Sequence, residues 1–199
     1  QLSLDPVSFV TISDLYLAAT SLHPAKLEEV KPDCLRLLDR AAELGIEDPL
    51  LVHRLAAAYR RLGQWEKSEA AYLDLLKRYP DAPLARESLV DIYLNTSNRE
   101  AAARQLRSML EANPGNERAT YVLGALAFQE DRLEEAEDLL SRALLLQPLL
   151  EPAYYDLAGV RLSRNKPEEA LAVLESARRM FPKKESFLVE FYTGLAHAR

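Results

Sequence analysis

The chain is poor in several features that mark common protein classes. Its 199 residues include one cysteine and six glycines. A single cysteine, Cys34, excludes an internal disulfide and leaves the compartment open between the cytoplasm and a bacterial periplasm. Few glycines disfavour a β fold whose turns depend on that residue. No run of 18 or more apolar residues is present, so no membrane span is expected.

Positive charge is also in short supply. The formal net charge is -6, with 25 basic and 31 acidic residues. Nucleic-acid-binding proteins usually carry a basic face that neutralises phosphates, so a nucleic-acid partner is not expected. The chain is nevertheless 48% hydrophobic, which is enough apolar material for a substantial core.

The usual signatures of catalysis and metal binding are missing from the sequence. The three histidines, His23, His53 and His197, are far apart and have no metal-ligand spacing. There is no glycine-rich phosphate loop and no nucleophile motif. Cys34 falls among apolar residues at helical spacing, which favours a buried structural thiol. The sequence therefore predicts no enzyme, no cofactor, no catalytic residue and no metal site.

A proline that recurs every 34 residues sets the register of the chain. The intervening apolar columns recur with it, without insertion or deletion. Self-similarity at a fixed period of this length indicates stacked supersecondary units. We therefore divide the chain into repeats at 49–82, 83–116, 117–150 and 151–182, which contain Pro80, Pro114, Pro148 and Pro182.

Each repeat has the pattern of a helix pair. Apolar or small residues predominate at positions 4, 7, 8 and 11, then 20, 24 and 27, with Arg86 and Thr120 as departures at position 4. Spacings of three and four predict two amphipathic helices. Neither helix can bury its apolar face alone, so neighbouring repeats must stack. Position 15 holds residues that tolerate a left-handed turn, namely Gly63, Ser97, Asp131 and Asn165.

This pattern resembles the tetratricopeptide repeat, which has leucine at position 7, a small residue at 8, tyrosine at 11, alanine at 20 and 27, and proline at 32. Position 7 is leucine in all four repeats. Arg161 replaces the tyrosine of position 11, and Ser68 replaces the alanine of position 20. The resemblance implies an all-α fold, a right-handed α–α superhelical solenoid of tetratricopeptide repeats.

The two ends are less regular than the repeats between them. We interpret residues 1–48 as a degenerate N-terminal repeat or cap, whose second helix is predicted to start near Pro32 and stop at Gly45. Residues 183–199 match the first helix of a fifth repeat, or a C-terminal cap. The matching apolar residues are Leu188, Phe191, Tyr192 and Leu195.

The resemblance also implies a partner-binding groove. In such proteins the first helix of each repeat lines the concave side, with positions 2, 5, 9 and 12 facing the ligand. We expect the small residues at position 9 to leave room for a ligand. In the latter half of the groove we expect exposed anchors that the core does not require, namely Tyr121, Phe128, Tyr155 and Leu162. The alternative is that second-helix side chains or the cap cover them. The predicted groove residues are His53, Ala57, Arg60, Glu87, Asp91, Arg118, Tyr121, Ala125, Phe128, Tyr155, Gly159, Leu162 and Val189.

Two functions are compatible with these expectations. The first is a non-catalytic scaffold or adaptor that binds a peptide or helix of a partner protein in the concave groove. The second is a structural segment of a larger bacterial secretion, envelope-assembly or polysaccharide-export complex. In that case the solenoid ends would make the contacts, and they would also allow copies of the chain to join as a homo-oligomer. The sequence leaves the identity of the partner open.

Overall fold

The protein is all-α. The computed structural model describes residues 5–182 and 187–197, and within them every regular element is helical, with no strand. A short 3-10 turn joins the first two helices at Pro24–Lys26. The helices are α1 Pro6–Leu22, α2 Leu27–Glu43, α3 Pro49–Arg61, α4 Trp65–Arg78, α5 Pro83–Asn95, α6 Arg99–Ala112, α7 Glu117–Gln129, α8 Leu133–Leu146, α9 Glu151–Ser163, α10 Pro167–Met180 and α11 Phe187–His197.

The hairpin turns share one backbone conformation. Position 15 has positive φ in all four repeats, from 57° at Asp131 to 73° at Gly63, as its residue types predict. The next N–H donates to the carbonyl of position 11, for example from Lys166 to Arg161 at 2.8 Å. These bonds satisfy a carbonyl that the helix end would otherwise leave without a partner. The turn chemistry therefore closes each helix pair in the same way.

The first helix pair differs in one detail from its prediction. α1 is capped by Asp5, whose carboxylate accepts from the Ser8 N–H at 2.8 Å. α2 begins at Leu27, so the start predicted near Pro32 is wrong, and Pro32 lies inside the helix. Two acidic residues in the first turn of α2, Glu28 and Glu29, stabilise the earlier start through the helix dipole.

The chain divides into two compact units, residues 1–102 and 103–199. The N-terminal unit has a core formed by α1 to α3, in which Cys34 and Leu38 are completely buried. The C-terminal unit has a separate core around Leu140 and Leu174. That second core includes two residues of α11, Val189 and Ala196. The predicted C-terminal helix is thus packed into its unit; the side chain of Leu188 lies outside the described residues.

The departures from the repeat pattern are compensated locally. Ser68 is fully buried at position 20, and its hydroxyl donates to the Ala56 carbonyl at 2.7 Å. Arg161 at position 11 donates to Glu137 at 3.3 Å. This bond repeats, in the same register, the 2.8 Å bond from Tyr93 to Glu69. Arginine therefore keeps the partner position that tyrosine uses elsewhere.

Glu137 is the centre of a charge cluster in the C-terminal unit. It is buried, and it accepts from Arg161 and Arg164 and, at 3.4 Å, from Lys166. Burial works against the ionised form, but the hydrogen bonds from Arg164 and Lys166 hold the pKa of Glu137 below its ordinary value. The cluster joins the N-terminal part of α8 to α9 and to the turn that follows it.

Candidate partner-binding surfaces

The predicted groove residues of the N-terminal unit lie on two adjacent helices. His53, Ala57 and Arg60 follow one face of α3, and Glu87 and Asp91 lie on α5; all five are half-buried. Arg60 Nη1 is 3.3 Å from Asp91 Oδ2, which joins the two helices. We call this surface, together with Leu50 and Leu84, the first-helix face of the N-terminal unit.

His53 sits at the inner edge of this face. Its ring lies 5.5 Å from the ring of Tyr72 on α4, and its Nδ1 is buried without a hydrogen-bond partner. Burial, with a further contribution from the positive charge of Arg60, lowers the pKa of His53. The imidazole is therefore disposed to stay neutral in the folded protein.

Large apolar side chains remain in solvent on the same face. Leu50 is 66% exposed and Leu84 is 60% exposed, each at position 2 of its repeat. By helical spacing, positions 2, 5, 9 and 12 share one face. The first-helix face of the N-terminal unit thus combines exposed apolar groups with an ion pair, which is a common composition at protein interfaces.

In the C-terminal unit, the predicted residues on α7 are partly accessible. Arg118 is exposed, whereas Tyr121, Ala125 and Phe128 are half-buried. The Tyr121 hydroxyl donates to Asp156 Oδ2 at 3.0 Å. Burial raises the pKa of Asp156, although the bond from Tyr121 opposes that rise. Tyr121 is therefore engaged with its neighbouring helix.

The remaining predicted residues are inside the C-terminal core. Tyr155, Gly159, Leu162 and Val189 are all buried. The expectation that the core does not require Tyr155 and Leu162 is therefore wrong, and the alternative of coverage by the cap holds for them. Position within a repeat carries no information on how closely α11 packs on α9.

Gly159 shows why this coverage is tight. A Cβ placed on Gly159 would lie 3.0 Å from the Phe128 ring and 3.5 Å from the Tyr192 hydroxyl. The room that the small residue was expected to leave for a ligand is thus taken by two of the chain's own aromatic side chains. Whether any of these residues contacts a partner stays a prediction.

A second surface, which the sequence reasoning missed, lies on the other side of the N-terminal unit. It is a cleft of about 720 Å³ with walls from α2 and α4 and a floor from α3. We call it the second-helix cleft. Clefts of this volume with mainly apolar linings are typical of ligand sites. Its lining includes Asp39, Ala42, Glu43, Gly45, Ile46, Val52, Leu55, Tyr59, Lys67, Ala70, Ala71, Asp74 and Arg78.

Polar bonds close one end of this cleft. Asp39 accepts from the Tyr59 hydroxyl at 2.7 Å and from Lys67 at 2.6 Å. Burial acts against the charge of Asp39, but the bonds from Lys67 and Tyr59 lower its pKa overall. At the other end, Arg78 donates to the Ile46 carbonyl at 2.9 Å. These bonds fix both walls while leaving the apolar floor open.

The described residues contain neither a metal-binding cluster nor a membrane-spanning helix. Among them, no group of three or more histidine, cysteine or acidic side chains is arranged to hold a metal ion. None of the helices in that part of the chain has the length and apolar character needed to cross a bilayer.

Comparison with known proteins identifies the repeat. One tetratricopeptide-repeat family model matches residues 49–92, and a second matches residues 96–159. No curated protein sequence matches the chain at a significant level.

Several solved structures have a similar fold. YrrB, described as a TPR protein with an unusual peptide-binding site, has 17% identity and a TM-score of 0.71, covering 96% of this chain and 92% of its own. MamA from Desulfovibrio magneticus RS-1 has 19% identity and a TM-score of 0.66, covering 87% and 97%. A MamA RS-1 double mutant has 19% identity and a TM-score of 0.72, and the match covers 90% of this chain and 96% of that one. At these identities the likeness shows the fold alone.

Proposed function

We propose that this chain, which belongs to the tetratricopeptide-repeat family, is a non-catalytic scaffold that binds a peptide or helix of a partner protein. The family and the fold support a role in protein–protein interaction in general. The site we propose is the first-helix face of the N-terminal unit, which contains His53, Ala57, Arg60, Glu87 and Asp91.

One observation carries this choice of site. Leu50 and Leu84 leave about two thirds of their surface in water on helices that also carry the Arg60–Asp91 ion pair. Exposed apolar groups rimmed by charge mark interaction sites, because burying them against a partner releases water while the charges select its orientation. In the C-terminal unit, Tyr155, Leu162 and Val189 have already been buried within the unit itself.

The similar fold of YrrB adds weaker support. YrrB is described as having a peptide-binding site, so one protein of this fold binds a peptide. The second candidate, a structural segment of a larger assembly that uses the ends of the solenoid, stays a prediction from the sequence.

The test replaces the exposed leucines of the first-helix face. We expect the Leu50→Lys, Leu84→Lys double variant to lose at least tenfold in capture of one or more proteins from a lysate of the source organism. The physical reason is that lysine places a hydrated charge where apolar contact is needed. Captured proteins are quantified by mass spectrometry, and far-UV circular dichroism verifies that helix content is unchanged.

A matched control is available in the same chain. Leu145 on α8 is 83% exposed and lies on a second helix. Leu145→Lys makes the same chemical change at a site outside the proposed surface, so capture should remain within twofold of the unmodified chain. Equal capture by the double variant and the control would refute the proposed site.

A further inference from the structure

The second-helix cleft is open because its walls and floor carry small side chains. Ala42 on α2, Val52 on α3 and Ala71 on α4 all line it. In the 34-residue register these are positions 28, 4 and 23. The C-terminal unit therefore offers a direct comparison at the same three positions.

In the C-terminal unit those positions carry larger groups. They are Leu144, Tyr154 and Val173, and the corresponding cleft measures about 340 Å³. Tyr154 is 7% exposed. The same repeat frame thus accommodates a tyrosine ring where the N-terminal unit has only the short side chain of Val52.

Two contacts hold the ring of Tyr154 in its unit. Its hydroxyl donates to the Pro148 carbonyl at 3.0 Å, and Phe181 meets it edge-to-face with ring centroids 6.1 Å apart. Pro148 and Phe181 occupy positions 32 and 31 of their repeats. A tyrosine in this location is therefore held by a carbonyl acceptor for its hydroxyl and by an aromatic neighbour for its ring.

The N-terminal unit keeps the equivalents of both contacts without the ring. Ile46 occupies position 32 and lines the cleft, and its carbonyl accepts one bond from Arg78, which leaves a second lone pair. Tyr79 occupies position 31; it is 42% exposed, and the Arg78 guanidinium lies 6.0 Å from its ring centroid. An acceptor therefore lines the unfilled apolar space, and the aromatic residue directly follows Arg78, which also lines it.

Both walls of the cleft mouth carry exposed carboxylates. The side chain of Glu43 on α2 is 64% exposed and pairs with Arg40 at 2.9 Å, and that of Asp74 on α4 is 59% exposed and pairs with Arg78 at 2.8 Å. Exposed ion pairs of this kind contribute little, so both carboxylates can accept a cation that a ligand brings. Such a cation would lie next to the apolar lining, which favours a ligand that carries positive charge beside its apolar group.

From these observations we propose that the second-helix cleft binds a peptide segment of a partner protein through a tyrosine side chain with a basic residue beside it. The tyrosine ring occupies the space that Tyr154 fills in the C-terminal unit, and its hydroxyl donates to the Ile46 carbonyl. The neighbouring basic group faces Glu43 and Asp74. This is a second interaction surface, separate from the first-helix face.

The test uses two capped pentapeptides and the full chain. Both have alanine at the ends and lysine at positions two and four; one has tyrosine at the centre and the other alanine. Binding is followed through the methyl resonances of a ¹³C-alanine-labelled chain. We expect the tyrosine peptide to bind at least tenfold more tightly and to shift Ala42, Ala70 and Ala71, which line the cleft, while Ala57 of the first-helix face stays unshifted.

Two variants fill the cleft from within. Val52→Tyr introduces the residue that the C-terminal unit has at the same repeat position. It should weaken binding of the tyrosine peptide at least tenfold. Ala71→Val is a smaller change that should weaken binding of the same peptide about threefold. This variant provides the test if Val52→Tyr disturbs folding. Leu50→Lys, on the first-helix face, should leave binding within twofold, so failure of the groove proposal would not affect this result.

Several outcomes would overturn the proposal. Equal affinity of the two peptides would show that charge alone drives binding. Shifts confined to Ala57 would place the peptide on the first-helix face. Shifts of Ala70 and Ala71 that depend on protein concentration without peptide would assign the cleft to a second copy of the chain. Undiminished binding to the Val52→Tyr variant, with helix content retained, would exclude the cleft as the site.

Discussion

The two units share one repeat pattern but differ in which surfaces they leave open. In the N-terminal unit, Leu50 and Leu84 stay exposed on the first helices, and the second-helix cleft is open. In the C-terminal unit, α11 packs into the core, and the corresponding cleft, which Tyr154 lines, is only about 340 Å³. The difference lies in a few side chains at equivalent positions, because the hairpin turns keep the same backbone geometry.

The comparison distinguishes repeat positions that stack the helices from positions that decide whether a surface is open. The columns at positions 7, 8 and 20 stack the helices and are nearly alike in every repeat. Positions such as 4, 23 and 28 are tolerant, and their side-chain volumes decide whether a surface is open or closed. A surface for partners is thus obtained by leaving a tolerant position small.

The largest effect should follow from opening the C-terminal cleft. Tyr154→Val removes a buried ring and its bond to Pro148, and places the residue of the N-terminal unit in its register. We expect a loss of about 3 kcal/mol in the free energy of unfolding, as is typical for truncating a buried aromatic side chain. Urea denaturation followed by circular dichroism measures the loss. A loss below about 1 kcal/mol would show that the ring is not part of the packed core.

A smaller effect is expected from the charge cluster of the C-terminal unit. Glu137→Ala removes the shared acceptor of Arg161, Arg164 and Lys166, and should cost about 2 kcal/mol because these cations then lack their buried partner. Glu134→Ala is the control. Its carboxylate is 3.1 Å from Arg164 but largely exposed, so its loss should stay within about 0.5 kcal/mol. Equal losses in the two variants would contradict the assignment.

The smallest effect concerns pH and the N-terminal unit. The folded-state pKa of His53 is lowered by burial and by Arg60, so the unfolded chain binds this proton more readily. The free energy of unfolding should therefore fall as the pH decreases through 6.5 towards 5, and be unaffected by His53 above 7. His53→Gln should flatten this part of the profile, measured as melting temperature against pH. Superimposable profiles would show that His53 stays accessible to protons.

Much of the fold could be predicted from the sequence because its signals are local and repeated. The period of 34 fixes where Pro49, Pro83, Glu117 and Glu151 stand, and each is the first residue of a helix in the structure. The left-handed turns followed from residue type at position 15. The helix start near Pro32 was mispredicted because proline is common at first turns, whereas here the acidic residues Glu28 and Glu29 precede it.

The candidate sites were harder to predict, since they depend on which surfaces pack against each other. The position rule placed His53, Arg60 and Asp91 on one face, and the structure brings them close together. The same rule failed for Tyr155 and Leu162 because it carries no information about how closely α11 docks. The second-helix cleft does have a signal in the sequence, because the side chains at positions 28, 4 and 23 are smaller in the N-terminal unit. They are Ala42, Val52 and Ala71 there, and Leu144, Tyr154 and Val173 in the C-terminal unit.

The lone thiol has a practical consequence. Cys34 is fully buried between α1 and α2, its Sγ faces the Ser13 carbonyl at 4.0 Å, and burial raises its pKa. A thiol-reactive dye can therefore reach it only when that helix pair separates. Because the chain has a single cysteine, the rate of labelling measures how often the first helix pair opens.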